Sequence, residues 1–177
     1  MTQDHAKEQA DAQLSSIRDM LAAVNCDYDR LEELRDELAD LEAEANDYTN
    51  VIKLEAREAL RDWNEENAEE LAELVAAAGE CEDQDDADQR IQEDPLSVQV
   101  RSGWYSPGES DVKPSEFEIL LCTGGPAVRI LGDLGEHGQP TRAYMQYQDW
   151  GTPWTDHYES GAGDTLLKYA AHFFYGE

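Results

Sequence analysis

From Ala6 to Val24, apolar residues recur three and four positions apart at Ala10, Leu14, Ile17, Leu21 and Val24, one stripe of an amphipathic helix. Asn25-Cys26-Asp27 interrupts it, and Asp27 is placed to cap a second helix by accepting a bond from an orphan backbone N–H. The second stripe, Leu31, Leu34, Leu38, Leu41, Ala45, Tyr48 and Ile52, is heptad-like and extends toward Leu60 and Trp63. A third helical segment, Glu65 to Ala78, carries Leu71, Leu74 and Val75 and stops at Gly79, a natural C′ residue. A short helix from about Asp86 to Glu93 sets Ile91 on its core side.

After Asp94-Pro95 the period changes from helical to alternating, and a helix ends at or before the residue preceding proline. Leu96 to Tyr105 reads as a strand with Val98, Val100 and Trp104 on one face. Ser106-Pro107-Gly108 is a turn, and Phe117 to Cys122 a second strand. Ala127 to Leu134 and Arg142 to Asp149 supply two more, joined by the Gly135–Gly138 loop. In the last, Ala143, Met145 and Tyr147 oppose Tyr144, Gln146 and Gln148. Asp164 is the candidate cap of a final helix, Thr165 to Phe174. Short connections favour an antiparallel meander, so the expectation is an α+β fold. It has an acidic helical hairpin or coiled coil over 1–94, then a four-stranded antiparallel sheet with a C-terminal helix over 95–177.

Charge sharpens that division. Residues 1–94 hold 30 Asp and Glu against 8 Lys and Arg, and residues 95–177 hold 11 against 5. The formal net charge of −28 over 177 residues argues against direct binding to nucleic acid or an anionic membrane, because phosphate contacts need Lys and Arg. No apolar run is long enough to cross a bilayer. The N-terminus lacks a basic segment followed by an apolar one. The three cysteines, Cys26, Cys81 and Cys122, have neither disulfide-framework nor metal-ligand spacing, which fits a reducing cytoplasm.

Three stretches carry a resemblance: Ser97 to Trp104, Leu120 to Ile130, and Tyr147 to Trp154. They resemble a family of small, acidic, largely uncharacterised proteins of phages, prophages and other mobile elements. The likeness covers about residues 80–177 and extends loosely over the helices. It implies an accessory, anti-defence role of the anti-CRISPR type, and it transfers no catalytic residues.

Little catalytic chemistry is legible. Cys122-Thr123-Gly124-Gly125 sits at a strand-to-turn junction, but a nucleophilic cysteine needs a base and an electropositive setting. Cys122 instead follows Leu120-Leu121, the context of a buried structural thiol. Gly124-Gly125-Pro126 lacks the lysine of a phosphate loop. His5, His137, His157 and His172 show no ligand spacing, and the acids at 83–88 lack the glycine and glutamate of a calcium loop. No catalytic residue, metal or cofactor is therefore expected. Trp150 and Trp154 mark an alternative aromatic recognition loop, since exposed aromatics dominate binding hot spots.

The acids themselves are the strongest functional signal. Glu32, Glu33, Asp36, Glu37, Asp40, Glu42 and Glu44 have only Arg30 and Arg35 nearby, and Glu65, Glu66, Glu69, Glu70 and Glu73 continue the pattern. At about 1.5 Å rise per residue, two such helices side by side carry an acid about every 2.4 Å, against roughly 1.7 Å per charge in duplex DNA. The expected partner is the basic groove of a nucleic-acid-binding protein such as a CRISPR effector, restriction enzyme or nuclease, occupied by a non-enzymatic DNA mimic. Two alternatives are a structural protein that assembles, for instance as a homodimer, through its coiled coil, and acid-rich solvation of the kind found in high-salt proteins.

Overall fold

A computed structural model describes residues 2–46, 52–108 and 112–176. The fold is α+β. Four helices come first: α1 (Thr2–Val24), α2 (Tyr28–Asn46), α3 (Ile52–Ala78) and α4 (Gln84–Glu93). Strands β1 (Ser97–Arg101), β2 (Glu116–Cys122), β3 (Ala127–Leu134), β4 (Pro140–Gln148) and β5 (Thr155–Asp156) follow, and then helix α5 (Ala162–Ala170). No strand precedes residue 90 among the described residues. None of their helices is long and apolar enough to cross a membrane.

The change from helix to strand falls at Asp94-Pro95, but the compact units divide elsewhere. One unit comprises Met1–Leu21 with Asp88–Glu177, the other Ala22–Ala87. Most of α1 therefore belongs with the sheet although it precedes the acidic hairpin. Its Ala6, Ala10, Leu14, Ile17 and Met20 are all buried. Met20 and Ala23 take the positions expected of Leu21 and Val24, which are only half-buried.

The sheet is a meander in the order β1-β2-β3-β4-β5, antiparallel throughout. Phe117, Ile119 and Leu121 of β2, Val128 and Ile130 of β3, and Ala143 and Met145 of β4 alternate into the core. They share it with Leu166, Tyr169 and Ala170 of α5. The Tyr169 hydroxyl donates to Asp94 Oδ2 at 2.5 Å, and burial together with that carboxylate pushes its pKa up.

Four details differ from the sequence-based expectation. The sheet has a fifth, two-residue strand. β1 ends at Arg101, so Val100 is exposed and Trp104 fully so, because no element among the described residues covers the edge strand there. Asp164 is not the cap of α5. Gly161 (φ 80°) is, and Asp164 lies in the first turn, where a carboxylate favours the helix dipole. Lastly, α3 is a single 27-residue helix that takes in Leu60 and Trp63, whereas α2 ends at Asn46. Tyr48 lies outside the described residues.

In the second unit α2 and α3 form an antiparallel hairpin, since their contacts run in opposite chain directions. Cys26 Sγ bonds Leu74 O, Arg30 meets Glu70, and Trp63 meets Glu37. Asp27 caps α2 through its Oδ1, which accepts from Arg30 N–H at 3.0 Å. At the far end of α3, Gly79 (φ 60°) donates its N–H to Val75 O. Cys26, Leu31 and Ala78 are buried against Leu71, Leu74 and Ala77. Val75 points away from this seam and is exposed.

Candidate functional site

All twelve of the acids singled out, Glu32 to Glu44 on α2 and Glu65 to Glu73 on α3, are exposed. Among the described residues only Glu33 and Glu70 of that set are in ion pairs, both with Arg30. Arg30 Nη1 lies 2.7 Å from Glu33 Oε2, and its Nε and Nη2 grip Glu70 in bidentate fashion at 3.1 and 3.0 Å. Hydrogen bonding from the guanidinium holds the Glu70 carboxyl below its usual range and Arg30 above its own. Glu37 accepts from the Trp63 indole N–H at 2.9 Å.

The side on which each charge lies follows from the helical period of roughly 100° per residue. The Arg30–Glu70 pair marks one flank of the hairpin. Glu33, Glu37 and Glu44 of α2 share that flank with Glu66, Glu70 and Glu73 of α3, while Asp40, Glu65 and Glu69 occupy the backs of the helices. The opposite flank carries Arg35, Glu42, Arg57 and Arg61. Glu32 and Asp36 lie toward that second side. With Tyr28, Asp29, Arg35 and the Glu82–Asp85 turn they line a cavity of about 620 Å³. The twelve acids thus form one continuous face plus a smaller group, Glu32, Asp36 and Glu42, turned away from it.

Charge density follows from the register. The 19 residues of α2 span about 28 Å. By the pairing of 37 with 63 and 30 with 70, they lie opposite residues 54–72 of α3. That length holds fifteen acids, eight from α2 and seven from α3, or about one per 1.9 Å; allowing for Arg30, Arg35, Arg57 and Arg61 it is about one net charge per 2.6 Å. Duplex DNA carries one per roughly 1.7 Å.

The other candidate residues separate. Trp154 is half-buried and stacks on the Arg129 guanidinium, 4.0 Å from centroid to carbon. Arg129 is held on either side by Glu118 and Gln146. Trp150 is exposed, with its indole N–H donating to Gly124 O over the Gly125 backbone. Of the two tryptophans, Trp150 is the exposed one. Cys122 is half-buried with Sγ near Pro126 O, and burial raises its thiol pKa, which disfavours a nucleophilic thiolate.

His157 is buried and faces Asp11, a residue 146 positions away that no local pattern could connect with it. Glu159, paired with Arg18, completes a third group of charges that sequence spacing does not reveal.

Comparison with family models, with curated proteins and with solved structures yields no match, so the likeness to mobile-element proteins rests on the sequence stretches alone.

Proposed function

We propose that the chain is a non-enzymatic DNA mimic that inhibits a nucleic-acid-binding host-defence protein of a bacterium, of the CRISPR-effector, restriction-enzyme or nuclease kind, by seating its acidic hairpin in the target's basic groove. One observation carries the proposal: acids approach duplex charge density along about 28 Å of paired helix, and most of them are in no ion pair among the described residues. Self-assembly through the heptads is the weaker alternative, because Leu31, Leu34 and Ala45 are already buried within the chain.

Recognition by such a surface is collective. A surface ion pair contributes about 0–1 kcal/mol, so no single acid is decisive, and binding weakens with salt as exposed charges are screened beyond about 8 Å at physiological ionic strength. The test uses the immobilised full chain to capture proteins from a bacterial lysate. It is run beside a variant in which Glu32, Asp36, Glu37, Asp40, Glu42 and Glu44 are replaced by their amides. Mimicry predicts a captured basic protein that duplex DNA displaces and salt elutes, with the amide variant capturing none. Indifference to DNA, or equal capture by the variant, overturns the proposal. Loss of capture on changing Trp150 alone transfers the role to the aromatic loop.

A further inference from the structure

Asp11 on α1 and His157 and Glu159 beyond β5 belong to one compact unit, and their ligand atoms lie within 4.8 Å of one another. The pairing of β4 with β5 fixes His157, whose backbone N–H donates to Met145 O at 2.9 Å. Its side chain is only 2% exposed, and Nε2 lies 2.7 Å from Asp11 Oδ1. Nδ1 is buried with no hydrogen-bond partner among the described residues.

We propose that Asp11, His157 and Glu159 form a binding site for a divalent transition-metal ion of the Zn²⁺ class. One imidazole and two carboxylates are a donor set suited to Zn²⁺ and its first-row neighbours, whereas all-oxygen sites suit Mg²⁺ and Ca²⁺. Zn–N and Zn–O bonds of about 2.0–2.2 Å place tetrahedral donors about 3.3 Å apart. The His157–Asp11 separation must therefore widen by roughly half an ångström, and Glu159, within 4.8 Å of the other two, must close toward the same spacing; both are side-chain adjustments open to half-exposed carboxylates. Arg18 pairs with Glu159 Oε1 and leaves the second carboxylate oxygen available, so it orients the ligand as outer-shell donors do at metal sites. Three protein ligands leave a coordination position for water. His157 and Glu159 also line a cavity of about 530 Å³ with Arg142, Asp156 and Ser160. The ion would clip the first helix to the end of the sheet.

The inference does not rest on the acidic hairpin, and the test separates the two. Chelator-stripped full chain is titrated with Zn²⁺ alone against a chromophoric indicator, in 0.5 M NaCl to suppress diffuse condensation on the acidic face. The expected result is one saturable site per chain that millimolar Mg²⁺ does not empty, with a thermal midpoint raised by Zn²⁺ and lowered again by chelator. Asp11→Asn and Glu159→Gln, isosteric changes at half-exposed positions, should each weaken binding at least about tenfold. The six-amide hairpin variant should bind Zn²⁺ normally. His157→Ala tests the third ligand directly, and the two carboxylate variants decide the matter if that change prevents folding. No saturable Zn²⁺ binding in high salt, or affinity unaltered in both carboxylate variants, overturns the site.

Discussion

Replacing Glu32, Asp36, Glu37, Asp40, Glu42 and Glu44 by Gln or Asn should make the protein more stable at low salt. Four like-charge pairs at i,i+4 disappear from α2: 32 with 36, 33 with 37, 36 with 40, and 40 with 44. Each such pair costs about 0.2–0.5 kcal/mol, for a relief of about 1–2 kcal/mol. The C-terminal turn adds to it, because α2 has no basic residue there and Glu44 opposes the helix dipole, worth about 0.3–1 kcal/mol. Little is lost in exchange. Gln and Glu have nearly equal helix propensity, as do Asn and Asp. The Asp27 cap and the Arg30 ion pairs are untouched, and an amide oxygen at position 37 still accepts from Trp63. At about 2–4 °C per kcal/mol for a chain of this size, the Tm should rise by roughly 3–12 °C in thermal unfolding followed by far-ultraviolet circular dichroism. The same melt in 1 M NaCl supplies the control: the Debye length falls to about 3 Å, shorter than the 5–6 Å between i,i+4 neighbours, and the gap between variant and parent should close. A variant no more stable than the parent at low salt, or an advantage that survives 1 M salt, would refute the account of α2 as a self-repelling helix.

Gly132→Ala should destabilise by about 1–3 kcal/mol, read from the urea midpoint, because the new methyl would lie 2.1 Å from the Arg142 carbonyl oxygen and 2.3 Å from the Phe117 ring. That ring is itself packed on Tyr175, so it has little room to withdraw. Glu70→Gln should flatten the acid limb of the stability profile. The folded carboxyl is held below its ordinary value, so its contribution is complete above the unfolded pKa, near 4.3, and is lost as pH falls through the depressed folded value. Urea denaturation at pH 7 and pH 3 should show a smaller difference in the variant than in the parent.

What was legible in the sequence was what short-range chemistry decides. Asp27 and Gly79 bound helices through contacts three or four residues away, and both act as their types and positions predict. Pro95 separates helix from strand for the same local reason. The division between α2 and α3 was not legible, because Ala45, Tyr48 and Ile52 keep the apolar spacing across it. In α1 the neighbouring series through Leu21 and Val24 fits the period as well as the true one through Met20 and Ala23, and only packing chooses between them. β5 has two residues and exists through its pairing with β4, so no pattern announces it. The cluster at Asp11 and His157 is the extreme case: its members are 146 residues apart, and neither flank has a recognisable ligand spacing. The acidic residues were visible individually, but their sides were not. Separating Glu33, Glu37 and Glu44 from Glu32, Asp36 and Glu42 required knowing which edge of α2 meets α3.

The distribution of those sides favours the proposed mimicry over solvation. A surface that is acidic only to hold water has no reason to prefer one flank of a hairpin. Acid and base interspersed would also relieve repulsion, since pairs of opposite charge at i,i+4 stabilise a helix by about the amount that like pairs cost. Here Arg35 and Arg57 make no ion pair among the described residues, and Arg61 meets only its own neighbour Asp62. These three cations are set on the flank away from Glu33, Glu37, Glu66, Glu70 and Glu73. Exchanging positions such as Arg57 and Glu66 would lower the charge of the acidic flank without changing composition or net charge. The present arrangement gives up that stabilisation and, among the described residues, leaves Arg30 as the one cation on the flank of Glu33, Glu37, Glu66, Glu70 and Glu73. A basic groove that must be matched along one line of contact rewards such separation; hydration, which depends on how many acids are exposed and not on which side they occupy, does not.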